Sequence, residues 1–398
     1  MNDVLKLTDI DQPDDRFSRF QLIGWWDQQK LSDSKALVIG AGAIGNELIK
    51  NLALLGVGHL FVADMDDIEN SNLSRSVLYR AADCGHSKAE VAAERARTIY
   101  PDMQTNFFHG NIVYDLGLGV YRWADVILGG LDNREARVAI NQSAARVGKP
   151  WIDGAIERLE GVARVFNAAT GPCYECTMNE VDWKMLESRR SCALLTRDEM
   201  EQGKVPTTPT TSSVIAGIQV QEAVKMIHGL DSLEGQGFVF DGTCHQSYLV
   251  KYSRLEDCPV HEICEPIIEL STGSDIQAGT FLERIQSELG PEAVVDFNQD
   301  LIQSFTCHSC QETVPCFASL GQVTERNALC PGCGELRAPD FYHSLDAQSE
   351  FLDRTLHELG VPRWDILTGR KGMEQKFYEL SGDRQQVLGA LESGNQTS

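Results

Sequence analysis

The sequence predicts an α/β fold: a doubly wound, Rossmann-like domain followed by a smaller α/β extension that holds a cysteine-rich ribbon. Strand-like and helix-like stretches alternate from Leu31 onwards, and such alternation indicates a parallel sheet with helices on both faces. A glycine-rich turn joins the first strand to the first long helix. Near Gly273 the character changes, and residues 305–338 become rich in cysteine.

The elements follow from their patterns in turn. Residues 1–15 are polar and acidic and read as a loose lead-in. Ala36–Ile39 and His59–Ala63 are short apolar runs of strand size, as is Asp125–Leu128. Ile44–Leu55, Lys88–Ile99 and Arg134–Val147 carry helical periodicity. Residues 161–168 and 236–254 alternate like strands with turns, while Thr210–His228 reads as a long buried helix. Residues 275–300 predict a short helix and a strand, 348–380 a small α/β tail, and 391–398 a disordered end. The expected domains are 16–270, with an insertion at about 177–205, and 271–390, with the ribbon at 305–338. No internal repeat is evident.

Composition bounds the function. A chain of 398 residues exceeds the size at which one core keeps growing, so two or more domains are expected. A net charge of −23 argues against a nucleic-acid surface, which needs clustered Lys and Arg. No apolar run approaches the ~20 residues of a membrane span, and the N-terminus lacks the basic and apolar regions of a signal peptide. A cytoplasmic location is therefore expected. In that setting the 12 cysteines point to metal or thiolate chemistry rather than disulfides.

Gly40-Ala41-Gly42-Ala43-Ile44-Gly45 follows a strand and opens a helix, the pattern that lets backbone approach phosphates. Asp64 ends the next strand about 20 residues on, where a carboxylate can accept ribose hydroxyls. These features alone fit a NAD-dependent oxidoreductase equally well. The following loop separates the two readings. It runs through Asp66, Asn72 and Arg75 to Lys88 at a helix start. Fixed cations near phosphates suit a site that expels pyrophosphate, where negative charge builds on the leaving group. Asp132 and Asn133 follow the third strand, and a carboxylate there can hold Mg²⁺ shared with phosphates.

Taken together, Arg16-Phe17-Ser18-Arg19, the glycine loop, Asp64-x-Asp66, Asn72-Leu73-x-Arg75, Lys88, Asp132-Asn133, Arg137 and Asn141 resemble the superfamily of ThiF/MoeB sulfur-carrier activators and ubiquitin-activating enzymes, over roughly residues 16–262. The resemblance implies ATP as substrate, with Asp64 on the ribose, Arg75 and Lys88 on the phosphates, Asn72 assisting and Asp132 on Mg²⁺. It also implies a homodimer in which Arg19 reaches the other subunit's ATP site. The implied reaction joins a carboxylate oxygen to the α-phosphate of ATP and releases pyrophosphate, which positioning and charge can carry without a protein nucleophile. The partner would be a ubiquitin-like or sulfur-carrier protein ending in Gly. Similar enzymes accompany prokaryotic conjugation operons, some of them antiviral.

The cysteines fall into two sets and a remainder. Cys173 and Cys176 form one knuckle, which needs a second pair to close a tetrahedral zinc site. In the resembling family that pair follows the last strands; here Cys258 and His261 stand there, with Cys264 competing as fourth ligand. Cys307-x-x-Cys310 and Cys330-x-x-Cys333, 19 residues apart, match a zinc ribbon, with a redox pair as the alternative. Cys192 remains. Arg189 and Arg190 beside it favour the thiolate. In ubiquitin-activating relatives the acyl-accepting thiol occupies this segment, so the expectation is adenylation, thioester formation on Cys192 and transfer to a conjugating enzyme. The alternatives are an adenylyltransferase that forms no thioester and a NAD-dependent oxidoreductase.

Overall fold

The computed structural model describes residues 15–191 and 206–393. Two sheets organise them. The first has eight strands in the order β3-β2-β1-β4-β5-β6-β7-β8. Its strands are β1 (Lys35–Ile39), β2 (His59–Asp64), β3 (Gln104–His109), β4 (Val126–Gly129), β5 (Trp151–Glu157), β6 (Glu160–Phe166), β7 (Gln236–Asp241) and β8 (Gln246–Lys251).

The neighbours from β3 to β5 are parallel. From β5 to β8 they are antiparallel. The sheet is thus mixed, and helical winding on both faces belongs to its parallel half. β1 shows why its sequence is continuously apolar: Ala36 and Val38 enter the core on one face, Leu37 and Ile39 the core on the other. The first face is covered by the helices Ala43–Leu55, Lys88–Ile99 and Pro209–His228, and the second by Leu118–Trp123 and Arg134–Arg146.

Local chemistry sets the helix ends. Ser87 caps the Lys88 helix by accepting from Glu90 N, and Asn133 caps the Arg134 helix by accepting from Ala136 N. Thr208 caps the Pro209–His228 helix, Pro209 occupies its first turn, and Gly229 ends it in the left-handed region. Two strands of this sheet carry no clear pattern in the sequence. β3 lies at the sheet edge with most of its residues partly exposed, and β5 breaks its apolar run with Asp153 and Gly154.

The second sheet runs β11-β10-β13-β14-β9, with β12 also paired to β10. Its strands are β9 (Ile267–Glu269), β10 (Val294–Thr306), β11 (Thr313–Ser319), β12 (Ala338–Leu345), β13 (Ile366–Lys371) and β14 (Glu374–Glu379). The expected α/β tail at 348–380 is corrected here: β13 and β14 form a hairpin in this sheet, and no helix forms within that range. The helix Ala278–Leu289 packs Phe281, Leu282 and Ile285 against the sheet, matching its amphipathic spacing.

Trp364, Ile366, Leu388 and Leu391 join the same apolar cluster as the second face of the first sheet. Polar contacts seal that junction. Arg122 Nη1 donates to Glu379 Oε2 at 2.6 Å, and Trp364 Nε1 donates to Glu379 Oε1 at 2.9 Å. Glu379 is 1% exposed, so these contacts satisfy a carboxylate that burial alone would penalise.

Candidate nucleotide and metal sites

The C-terminal ends of β1, β2 and β4 meet at one edge, and close glycine packing lets them do so. Gly40 sits at φ +90°, and a Cβ there would lie 2.6 Å from Gly130 O. A Cβ on Gly45 would fall 1.9 Å from Gly40 O, so the helix start presses against the loop. Gly42 differs: a Cβ there meets nothing within 4 Å. It is the N-cap of the Ala43–Leu55 helix and offers no side-chain cap, so no side chain there competes with a ligand for the first helical N–H groups.

Asp64 ties the loop to the next strand. Its Oδ2 accepts from Ala41 N at 2.6 Å and its Oδ1 from Asp66 N at 2.8 Å. Asp66 in turn grips Lys88 at two points: Asp66 O accepts from Lys88 N at 3.0 Å, and Asp66 Oδ2 accepts from Lys88 Nζ at 2.7 Å. Lys88 is buried. Burial alone would lower its pKa, but Asp64, Asp66 and Asp132 together raise it above the ordinary lysine value. Burial raises the pKa of Asp64, with the Lys88 charge opposing. The result is one fixed cation at an acidic sheet edge.

The remaining expected residues have definite local roles. Asn72 Oδ1 accepts from Glu69 N at 2.8 Å and so holds its own turn. Arg75 Nη1 donates to Ser71 O at 2.8 Å. Asn133 is engaged as the helix cap, and its Nδ2 lies 3.3 Å from Asp132 Oδ1. Arg19 is exposed, on a segment where Leu22 and Trp25 are exposed as well. Cys192 lies outside the described residues.

Several supporting residues were not singled out from the sequence. Asn46 is fully buried; its Nδ2 donates to Ala41 O at 2.6 Å and its Oδ1 accepts from Leu78 N at 2.9 Å, binding the glycine loop to the segment after Arg75. Tyr79 Oη donates to the same Ala41 carbonyl at 2.6 Å. Asp153 is fully buried between Arg137 Nε and Arg164 Nε, each 2.9 Å away. Burial would raise its pKa, and the two guanidiniums outweigh that and lower it. A polar residue on the buried side of an apolar helix or strand was the available signal for Asn46 and Asp153.

The first cysteine set converges. Cys173 Sγ is 3.7 Å from Cys176 Sγ and 3.6 Å from Cys258 Sγ, and Cys176 Sγ is 3.3 Å from His261 Nε2. Cys264 lies elsewhere, with Arg146 Nε 3.4 Å from its sulfur. Asn141 positions the first knuckle: its Oδ1 accepts from Tyr174 N at 2.8 Å and from Trp151 Nε1 at 3.2 Å. The second set also converges, the ligand atoms of Cys307, Cys310, Cys330 and Cys333 all lying within 4.8 Å of one another. Both clusters could hold a metal ion.

A Rossmann-like sheet with an open glycine loop, an acidic strand end and a buried lysine at one edge defines an ATP-dependent adenylyltransferase domain of the E1 type. This chain belongs to the ThiF family, whose family model matches residues 15–260. It is 33% identical over 258 residues to the SAMP-activating enzyme E1 of Haloferax volcanii, covering 62% of this chain and 88% of that protein. The sulfur carrier protein adenylyltransferase of Thermus thermophilus is 29% identical over 255 residues, covering 62% and 90%. The maize adenylyltransferase and sulfurtransferase MOCS3-1 is 32% identical over 240 residues, 59% of this chain, and the match spans 49% of the maize protein. The fold is similar to that of E. coli MccB solved with ATP, at TM-score 0.53 and 22% identity, covering 64% of this chain and 75% of that one. Among the described residues no helix is long and apolar enough to cross a membrane.

Proposed function

We propose that this chain activates the C-terminal carboxylate of a ubiquitin-like or sulfur-carrier protein by adenylation. The observation that carries the reading is Lys88, held at the sheet edge among Asp64, Asp66 and Asp132 beside an uncapped helix start. The partner class is supported by the names of the archaeal and bacterial relatives. In the reaction a carboxylate oxygen bonds to the α-phosphorus of ATP while the bond to the β-phosphate oxygen breaks and pyrophosphate leaves. Backbone N–H groups after Gly42 and the Lys88 ammonium stabilise the charge that grows on the phosphates. Arg75 adds a second cation, and Asp64 accepts the ribose hydroxyls on lone pairs its backbone partners leave free. Asp132 fits Mg²⁺ by its position: a carboxylate after β4, close enough to raise the Lys88 pKa. Mg²⁺ bound there would shield phosphate charge.

Adenylation is followed, on this reading, by attack of the Cys192 thiolate on the acyl carbon, with AMP leaving and a thioester remaining. A conjugating enzyme then receives the acyl group. Two chains act as a homodimer, with Arg19 serving the other subunit's site; its exposed neighbours Leu22 and Trp25 supply apolar surface for that contact. Zinc fits the Cys173, Cys176, Cys258 and His261 cluster, whose sulfur separations match the edge of about 3.8 Å in a tetrahedral thiolate site. The chain divides near residue 270 into the adenylation domain and the extension. The test is ATP–pyrophosphate exchange: exchange that requires a Gly-terminated small protein supports the reading, and its absence with every such protein encoded beside this chain's gene refutes it. The second reading, adenylation without a thioester, draws on the sulfur-carrier relatives and predicts no reductant-sensitive adduct.

A further inference from the structure

The second cysteine cluster lies beyond the residues matched by the family model, in the outer part of the second sheet. Its two halves are built alike. Cys307 N donates to Glu312 O at 2.9 Å, and Gln311 N to Cys307 O at 2.8 Å, with Gln311 at φ +56°. Cys330 N donates to Glu335 O at 2.8 Å, and Gly334 N to Cys330 O at 2.8 Å, with Gly334 at φ +76°. The same turn, Cys-x-x-Cys followed by a left-handed residue and Glu, is thus used twice. One copy joins β10 to β11, and the other leads into β12. This short internal repeat corrects the expectation that the chain has none.

The halves face each other. Cys307 Sγ lies 3.6 Å from Cys333 Sγ, and Cys330 Sγ lies 3.9 Å from Cys310 Sγ. Four thiolates about 2.3 Å from one zinc ion sit about 3.8 Å apart, so the spacing brackets the tetrahedral edge. None of the four is paired in a disulfide.

The lobe around them has little else to hold it. Its apolar cluster contains three fully buried residues, Ile302, Phe305 and Ala328, edged by Cys316, Leu320 and Val323. The inner lobe, by contrast, buries Phe281, Ile285, Leu301, Leu345, Leu367, Tyr378 and more. A core of the outer lobe's size does not repay the entropy of ordering three strands.

We infer that Cys307, Cys310, Cys330 and Cys333 bind one zinc ion in a closed four-thiolate site, and that this ion serves as the core of the outer lobe, residues 302–341. Metal binding here is folding energy for the lobe. A closed, redox-inert four-thiolate site suits a structural role beside the exposed Cys310 and Cys333. The left-handed residues turn the backbone so that both cysteines of each knuckle face the ion.

The experiment uses the full chain. Metal analysis of wild type and of the C330S/C333S double variant should show one zinc fewer per chain in the variant. Hydrogen exchange should show protection lost across 302–341 and kept across 35–166. Unchanged zinc content, or iron in the wild type, overturns the proposal, as does full protection of 302–341 in metal-stripped protein. Should the variant fail to fold, cobalt exchanged into the wild type gives the answer: a spectrum with a four-thiolate component supports the site, and its absence refutes it. ATP–pyrophosphate exchange reads the other domain, so the two proposals fail separately.

Discussion

Lys88 Nζ lies 2.7 Å from Asp66 Oδ2, although the two residues stand 22 apart in sequence. The pair fixes a cation beside Asp64 and Asp132, and its lysine is buried while the Asp66 side chain is 59% exposed. A buried ammonium with acidic neighbours stays charged, and an exposed acid can yield it to an incoming phosphate.

Replacing that ammonium should remove catalysis without unfolding the chain. Lys88→Met is expected to lower ATP–pyrophosphate exchange by about 10²–10³-fold, the range for loss of one transition-state charge contact. Thermal melting should show a folded protein. Exchange at the wild-type rate would refute the assignment.

The glycines separate backbone constraint from ligand approach. Gly40→Ala and Gly45→Ala meet carbonyl oxygens at 2.6 and 1.9 Å and should lower the melting temperature. Gly42→Ala meets nothing, so it should melt like wild type yet bind ATP more weakly. Calorimetric titration with ATP checks this. Normal affinity in Gly42→Ala would mean that the helix start does not face the phosphates.

Asp153 should give the fold part of its acid sensitivity. Its folded pKa is lowered, so its stabilisation is present above the ordinary 3.8 and is lost as pH falls through the depressed folded value. Asp153→Asn leaves Arg137 and Arg164 buried without their acid and should cost about 3–5 kcal/mol at neutral pH. Urea denaturation at neutral and acidic pH measures both effects. Lys88 has the opposite sign: its raised pKa contributes fully below the ordinary 10.5 and is lost as pH climbs through the raised value.

The first metal cluster makes a sharp distinction between neighbours. His261→Ala should lose one equivalent of zinc, and Cys264→Ser should lose none, because Cys264 sits against Arg146 instead. Elemental analysis of the two variants decides it.

Cys192 has a covalent readout. Wild type incubated with ATP and the small protein should form an adduct that thiol reductant releases, and Cys192→Ala should not. An identical adduct in both would remove Cys192 from the mechanism and favour adenylation without a thioester.

Local sequence determined what local physics controls. Apolar runs and helical periodicity located most strands and helices of the first sheet, and the Lys88–Ile99 helix forms where its pattern placed it. Gly40 to Gly45 marked a close strand-to-helix turn, and Cys-x-x-Cys spacing marked two knuckle sets. Edge strand β3 and the polar-bearing β5 gave no such pattern, since half-exposed or polar-interrupted strands lose their apolar signature.

Tertiary structure decided what depends on distant partners. Only the folded chain sets Asp66 and Asp132 around Lys88, seats His261 rather than Cys264 against Cys176, and buries Asp153 between Arg137 and Arg164. It alone returns β9 to pair with β14 in the second sheet, across more than a hundred residues of chain. The reason is physical: a side chain's partners across a sheet edge are fixed by strand order and register, which arise from summed burial over the whole chain.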